Sequence, residues 1–85
     1  MYKIVYTAQA AKVLLKMPRN MAQIIREKTE QVAIDPFASI PNAAKLQGRE
    51  GYRLRVGDWR VIYEVSQDEI VIIIMNIAPR GEIYR

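Results

Sequence analysis

The sequence predicts an α+β domain of order β-α-α-β-β-β, with a helix hairpin packed on one face of a mainly antiparallel four-stranded sheet. Two apolar stripes at helical spacing between residues 8 and 34 carry the helical half of that reading. Alternating apolar and polar residues from Tyr52 to Val65, interrupted by the turn Gly57-Asp58 and by Ile62, carry the sheet. At 85 residues the chain has room for one core, so residues 1–85 read as a single domain.

Each element has a local cause. Tyr2 to Tyr6 alternates and forms the first strand. Thr7 is suited to cap a helix from Ala8 to about Met17, whose stripe is Ala10, Val13, Leu14 and Met17. Pro18 and Asn20 separate it from a second helix with the stripe Met21, Ile24, Ile25 and Val32. Asp35-Pro36 ends that helix near Ile34, because a residue before proline is pushed out of helical geometry. Phe37 to Gly51 reads as an irregular connector in which Ala44, Lys45 and Leu46 approach the core. Tyr52–Val56 and Trp59–Val65 form a hairpin around a two-residue turn with glycine first. Gln67-Asp68 turns the chain into Ile70–Ile77, the most apolar strand and therefore the central one. Equal extension from the second turn sets Val65 opposite Ile70 and points Ile72 and Ile74 at the helices.

Composition removes several classes of chemistry. The chain has no cysteine and no histidine, so Cys/His zinc sites, disulfides and His-activated nucleophiles are ruled out. No cofactor or metal is expected. The longest apolar run, Ile70 to Met75, is far short of a membrane span, and the first residues read as a strand, so no membrane partner and a cytoplasmic location are expected. The net charge of +4 is modest, but Arg49 to Arg60 holds four arginines against Glu50 and Asp58. Arginine is the side chain suited to bidentate phosphate contacts.

The hairpin register sharpens this. A Gly57-Asp58 loop pairs Val56 with Trp59, Arg55 with Arg60, Leu54 with Val61, Arg53 with Ile62 and Tyr52 with Tyr63. Tyr52, Leu54, Val56, Trp59, Val61 and Tyr63 then share the helix face, and Arg53, Arg55, Arg60 and Ile62 the other. Like charges directly opposite each other, as Arg55 and Arg60 would be, are destabilising. Paired acids such as Glu64, Asp58 or Glu50, or simple solvation, would offset that cost; a bound phosphate would make use of it. Arg80, flanked by Pro79 and Gly81, follows the last strand, and Tyr84 lies near it in sequence, where an aromatic ring could stack on an unstacked base. Tyr84 could equally plug the sheet edge.

The runs Lys-Leu-Gln-Gly (45–48), Tyr-Arg-Leu-Arg-Val-Gly-Asp-Trp-Arg-Val-Ile-Tyr-Glu-Val (52–65) and Pro-Arg-Gly-Glu-Ile-Tyr-Arg (79–85) resemble the RelE/ParE superfamily of toxins. The resemblance covers the chain in order and is closest to the RelE-type mRNA interferases. It implies a metal-independent endoribonuclease that enters the ribosomal A site and cuts mRNA by 2′-OH attack on the adjacent phosphate, held in a hetero-oligomer by a cognate antitoxin protein. It also implies catalytic positions at Arg53, Arg55, Arg60, Arg80 and Tyr84, with Lys45, Arg49, Arg53, Arg55 and Arg85 touching RNA. The departure is on the strand 52–56, where the best-known relative has lysines and this chain has arginines. Arginine does not lose its proton, so neither Arg53 nor Arg55 serves as a general base, and Glu50 is the nearest acid in sequence that could serve as one. ParE-type relatives, which share the fold and inhibit DNA gyrase by binding, are the alternative; so is a binding module that has kept the fold and lost the toxicity.

Overall fold

A computed structural model describes residues 1–82. Its elements are β1 (Lys3–Tyr6), α1 (Ala8–Lys16), α2 (Arg19–Ile34), β2 (Ala43–Lys45), β3 (Tyr52–Val56), β4 (Trp59–Ser66) and β5 (Val71–Pro79). The strands form one five-stranded sheet in the order β1-β5-β4-β3-β2, with β1 parallel to β5 and the other pairs antiparallel. The sheet thus has one strand more than the expected four. The extra strand, β2, comes from the connector, where Ala43, Ala44 and Lys45 pair with Leu54, Arg53 and Tyr52. Three residues carry too short a pattern to stand out in a sequence. No helix among the described residues is long and apolar enough to cross a membrane.

The helices begin and end for the expected reasons. Thr7 caps α1, its hydroxyl accepting from the Ala10 amide at 3.3 Å. Asp35, before the buried Pro36, closes α2 in extended geometry. The helices bury Ala10, Leu14 and Met17 from the α1 end and Ala22, Ile25, Val32 and Ala33 from α2 against the sheet. Ile24 departs from the expected stripe and is 41% exposed. The face of α2 is instead completed by Thr29, whose hydroxyl donates to the Arg26 carbonyl at 2.8 Å and so accepts from Tyr6 at 3.0 Å.

From the sheet the core takes Leu54, Val56, Val61, Tyr63, Ile72, Ile74 and Ile77. The hairpin register is the expected one, from Tyr52 opposite Tyr63 to Val56 opposite Trp59. Gly57 has φ 58° and Asp58 keeps a negative φ, the pattern of a type II′ turn that matches strand twist. The β4–β5 register differs from expectation. Val65 pairs with Ile72, not Ile70, because β5 starts only at Val71. Ile70 sits in the turn, 54% exposed, at a φ of 56° that a β-branched residue rarely adopts. A displacement of two residues preserves the alternation, so Ile72 and Ile74 still face the helices.

Further along β5 the alternation breaks. Tyr63 pairs with Ile74 but Ile62 with Asn76, so Met75 is an extra residue, a β-bulge. Ile77 therefore turns into the core and Asn76 to the opposite face. α1 fixes this geometry from the other edge of β5, beyond the last residue paired with β1. Thr7 donates its hydroxyl to the Met75 carbonyl at 2.9 Å. The Gln9 amide both donates to the Ile77 carbonyl and accepts from the Ile77 amide, each at 3.1 Å.

Candidate nucleic-acid interface

The face of the sheet away from the helices is not bare. Ile62, expected among the arginines, is 1% exposed and joins Leu46, Met75 and Ala78 in a small apolar cluster. Leu46 reaches it because the connector closes into a loop in which the Leu46 amide donates to the Gly51 carbonyl at 2.9 Å. Gly51 is required there: its φ is 111°, and a Cβ would lie 3.0 Å from the Tyr63 carbonyl oxygen.

Around this apolar floor stand the arginines. Arg53 is opposite Ile62 on one side and Ala44 on the other, and its Nε is buried. Arg55 is exposed and directly opposite the half-buried Arg60. The expected repulsion is met by bending one partner away. Arg60 Nη1 donates to the Gly57 and Trp59 carbonyls, each at 2.9 Å, so its charge leans on the turn. The same turn holds Arg80, whose backbone amide donates to the Asp58 carbonyl at 2.7 Å. Pro79 to Glu82 then reverses direction, with the Glu82 amide donating to the Pro79 carbonyl at 3.0 Å and Gly81 at φ 90°. The β3–β4 turn thus brings the start of β4 and the start of the tail together, Arg60 and Arg80 being twenty residues apart in the sequence.

Lys45, Leu46, Arg49 and Arg53 line one open pocket beside β2. Arg49 is exposed on the loop. Lys45 pairs with Tyr52, so it leaves the strand on the helix side, away from the arginine face, and reaches the pocket only from the sheet edge. Glu50 is also exposed on the loop. Tyr84 and Arg85 lie outside the described residues. Asn76 went unnoticed in the sequence. It is half-buried opposite Ile62, on the arginine face, and the bulge that turns it there leaves no sequence pattern.

Net charge does not by itself distinguish this face from the helical side. Residues 1–26 hold Lys3, Lys12, Lys16, Arg19 and Arg26 and no acid, leaving eight cations against nine acids in the rest of the chain. The arginine cluster is therefore a matter of placement and not of net charge. On the helix side, Tyr63 stacks on Tyr52 with ring centroids 5.3 Å apart. Burial, together with the neighbouring Tyr52, pushes the Tyr63 phenol up to about 12.

The family model describing the ParE toxin of type II toxin–antitoxin systems matches residues 4–84. The chain belongs to this ParE toxin family. Solved structures place the family within the wider RelE/ParE superfamily. The chain is 30% identical to a protein in the archaeal RelE–RelB complex of Pyrococcus horikoshii, covering 95% of this chain and 97% of that one with a TM-score of 0.81. It is 18% identical to the isolated Escherichia coli RelE toxin, with 96% and 87% covered and a TM-score of 0.82. The YoeB/ParE toxin from Agrobacterium tumefaciens is similar at 19% identity, with 92% and 98% covered and a TM-score of 0.78. At these lower identities the likeness is one of fold. No curated protein gives a significant match.

Proposed function

We propose that this ParE-family toxin is a ribosome-dependent mRNA endoribonuclease, acting in the A site and restrained by a cognate antitoxin. The observation that carries this reading is the arginine face: Arg53, Arg55 and Arg60 on one side of the sheet, with Arg80 tied to the same turn as Arg60. Stability alone has no use for Arg55 opposite Arg60, and a scissile phosphate does.

The chemistry is electrostatic. The substrate 2′-OH attacks the adjacent phosphorus, the P–O5′ bond breaks, and a 2′,3′-cyclic phosphate and a 5′-OH result. Arginines around the phosphate stabilise the added negative charge of the pentacoordinate transition state and make the 2′-OH more acidic. Arg80 is the clamp nearest the leaving oxygen. Arg60 shifts from the Gly57 and Trp59 carbonyls to the phosphate, exchanging two hydrogen bonds for an ion pair. Lys45, Arg49 and Arg85 hold flanking phosphates, and Tyr84 orients the base or the 2′-OH. The whole chain, residues 1–85, acts as one toxin domain in the cytoplasm. The RelE–RelB and RelBE complexes among the similar structures support an antitoxin partner.

The family model's ParE description favours a second reading, inhibition of DNA gyrase by binding alone. Purified protein added to programmed ribosomes, with mRNA ends mapped, separates the two when a gyrase supercoiling assay runs beside it. Cleavage within the A-site codon is expected. Intact mRNA with blocked supercoiling would give the second reading the field.

A further inference from the structure

Asn76 is a polar interruption of the most apolar strand, and the structure spends several interactions on where it points. Without the Met75 bulge, the alternation that buries Ile72 and Ile74 would carry Asn76 into the core. With it, Asn76 faces the arginines. The residues on either side are held by α1, Met75 through Thr7 and Ile77 through both ends of the Gln9 amide. The Asn76 amide itself makes no hydrogen bond to another described residue and is half-buried. Bulges commonly re-aim a side chain beside a functional site.

Its neighbours define what it could meet. Opposite is Ile62, and diagonal to it is Arg60, at a spacing of about 7–8 Å for such pairs. Half-buried Met75, which precedes it, and Ala78, two residues further on, belong to the apolar cluster with Leu46 and Ile62. Arg53, Arg55 and Arg60 offer donors only, and Glu64, further along the same face of β4, carries the wrong charge to sit beside a phosphate. Asn76 brings both a donor and an acceptor to an apolar surface next to those cations. A nucleotide has matching parts: a phosphate for the arginines, a flat base for the apolar surface and a base edge for the amide.

We infer that Asn76 is a specificity-determining residue that reads the base of the nucleotide held at the arginine face, and that it selects adenine. A carboxamide is complementary to adenine's adjacent donor and acceptor and makes the bidentate pair with it. The inference rests on the nuclease reading for its consequence in catalysis, but not for the contact itself.

Two measurements test it. Single-turnover cleavage is compared on ribosomes programmed with A-site codons that carry adenine or uracil at each position in turn. The wild type is expected to favour adenine at one position by roughly fivefold or more, the lower end of what a bidentate base contact supplies. Asn76→Ala should level that preference by lowering the rate on the favoured codon, and Asn76→Ser serves if the alanine variant melts early. A variant that keeps the wild-type codon profile would overturn the assignment. The second measurement needs no cleavage. The side-chain amide signal of Asn76 in the wild-type protein is followed by NMR as tri-adenylate or tri-uridylate is added. It should move with tri-adenylate and much less with tri-uridylate; an unmoved signal, or equal movement with both, would overturn the inference. If the wild type leaves ribosomal mRNA intact yet the signal moves selectively, the nuclease reading falls and the base contact stands.

Discussion

On the helix side of the sheet, the buried positions are filled by apolar and aromatic side chains, from Leu54 and Val61 to Ile72, Ile74 and Ile77. On the other side, the apolar floor of Leu46, Ile62, Met75 and Ala78 is much smaller and has Arg53, Arg55, Arg60 and Asn76 around it. The two faces share the same strands, so backbone and register are common to both. What differs is the purpose of each side chain: one face lowers the energy of the fold, and the other accepts like charges side by side. A surface that tolerates such a conflict while the opposite surface avoids any is where a ligand's charge belongs.

Adjacent residues on β4 expose the difference most strongly. Val61 and Ile62 are 0% and 1% exposed, on opposite faces. Val61→Asp places a carboxylate in the closed core and should abolish cooperative melting, since an unpaired buried charge exceeds the whole stability of a domain this small. Ile62→Asp places it opposite Arg53 and between the other arginines, so that variant should still fold, with a lowered melting temperature. Equal behaviour of the two in thermal denaturation followed by circular dichroism would mean the faces are not distinct.

Gly51→Ala should come next in size. It requires a φ of 111° from alanine and a Cβ 3.0 Å from the Tyr63 carbonyl, a cost of about 1–3 kcal/mol in chemical denaturation. Because Gly51 anchors the loop that lays Leu46 on Ile62, the loss should be accompanied by exposure of the arginine-side floor.

The smallest effect is one of pH. The Tyr63 phenol is raised to about 12 in the folded protein, above the ordinary value of 10.0 that the unfolded chain restores. Between these values the unfolded state releases this proton and the folded state keeps it. The Tyr63 contribution to stability is therefore fully present below pH 10 and is lost as pH rises toward about 12. Tyrosinate absorbance should show a late-titrating phenol that is lost in Tyr63→Phe.

Much of this was legible in the sequence because the hairpin explains itself. A two-residue loop with glycine first admits one register, and that register alone puts Arg55 opposite Arg60 and separates the faces. Thr7 and Asp35-Pro36 mark helix ends by local chemistry in the same way. What escaped depends on partners far along the chain. The Met75 bulge is stabilised by Thr7, 68 residues away, and Asn76 took its face from that bulge. β2 exists because Arg53 and its neighbours offered an edge to pair with. Arg60's turn toward the Gly57 and Trp59 carbonyls was equally invisible, since alternation gives a side chain its face and not its rotamer.

The central claim is that the arginine face acts on a scissile phosphate, and Arg80 is the residue to test it on. Arg80 is exposed and meets the rest of the fold through its backbone amide, so truncating its side chain should leave the melting temperature nearly unchanged. The decisive measurement is single-turnover cleavage of A-site mRNA by wild type, Arg80→Ala and Arg80→Lys, with ribosome binding measured in parallel. Arg80→Ala should lose about two orders of magnitude in rate or more, as removal of one preorganised transition-state donor does. Binding should fall far less, and Arg80→Lys should recover only part of the rate, because lysine lacks the planar fork. Cleavage by Arg80→Ala at the wild-type rate would contradict the account.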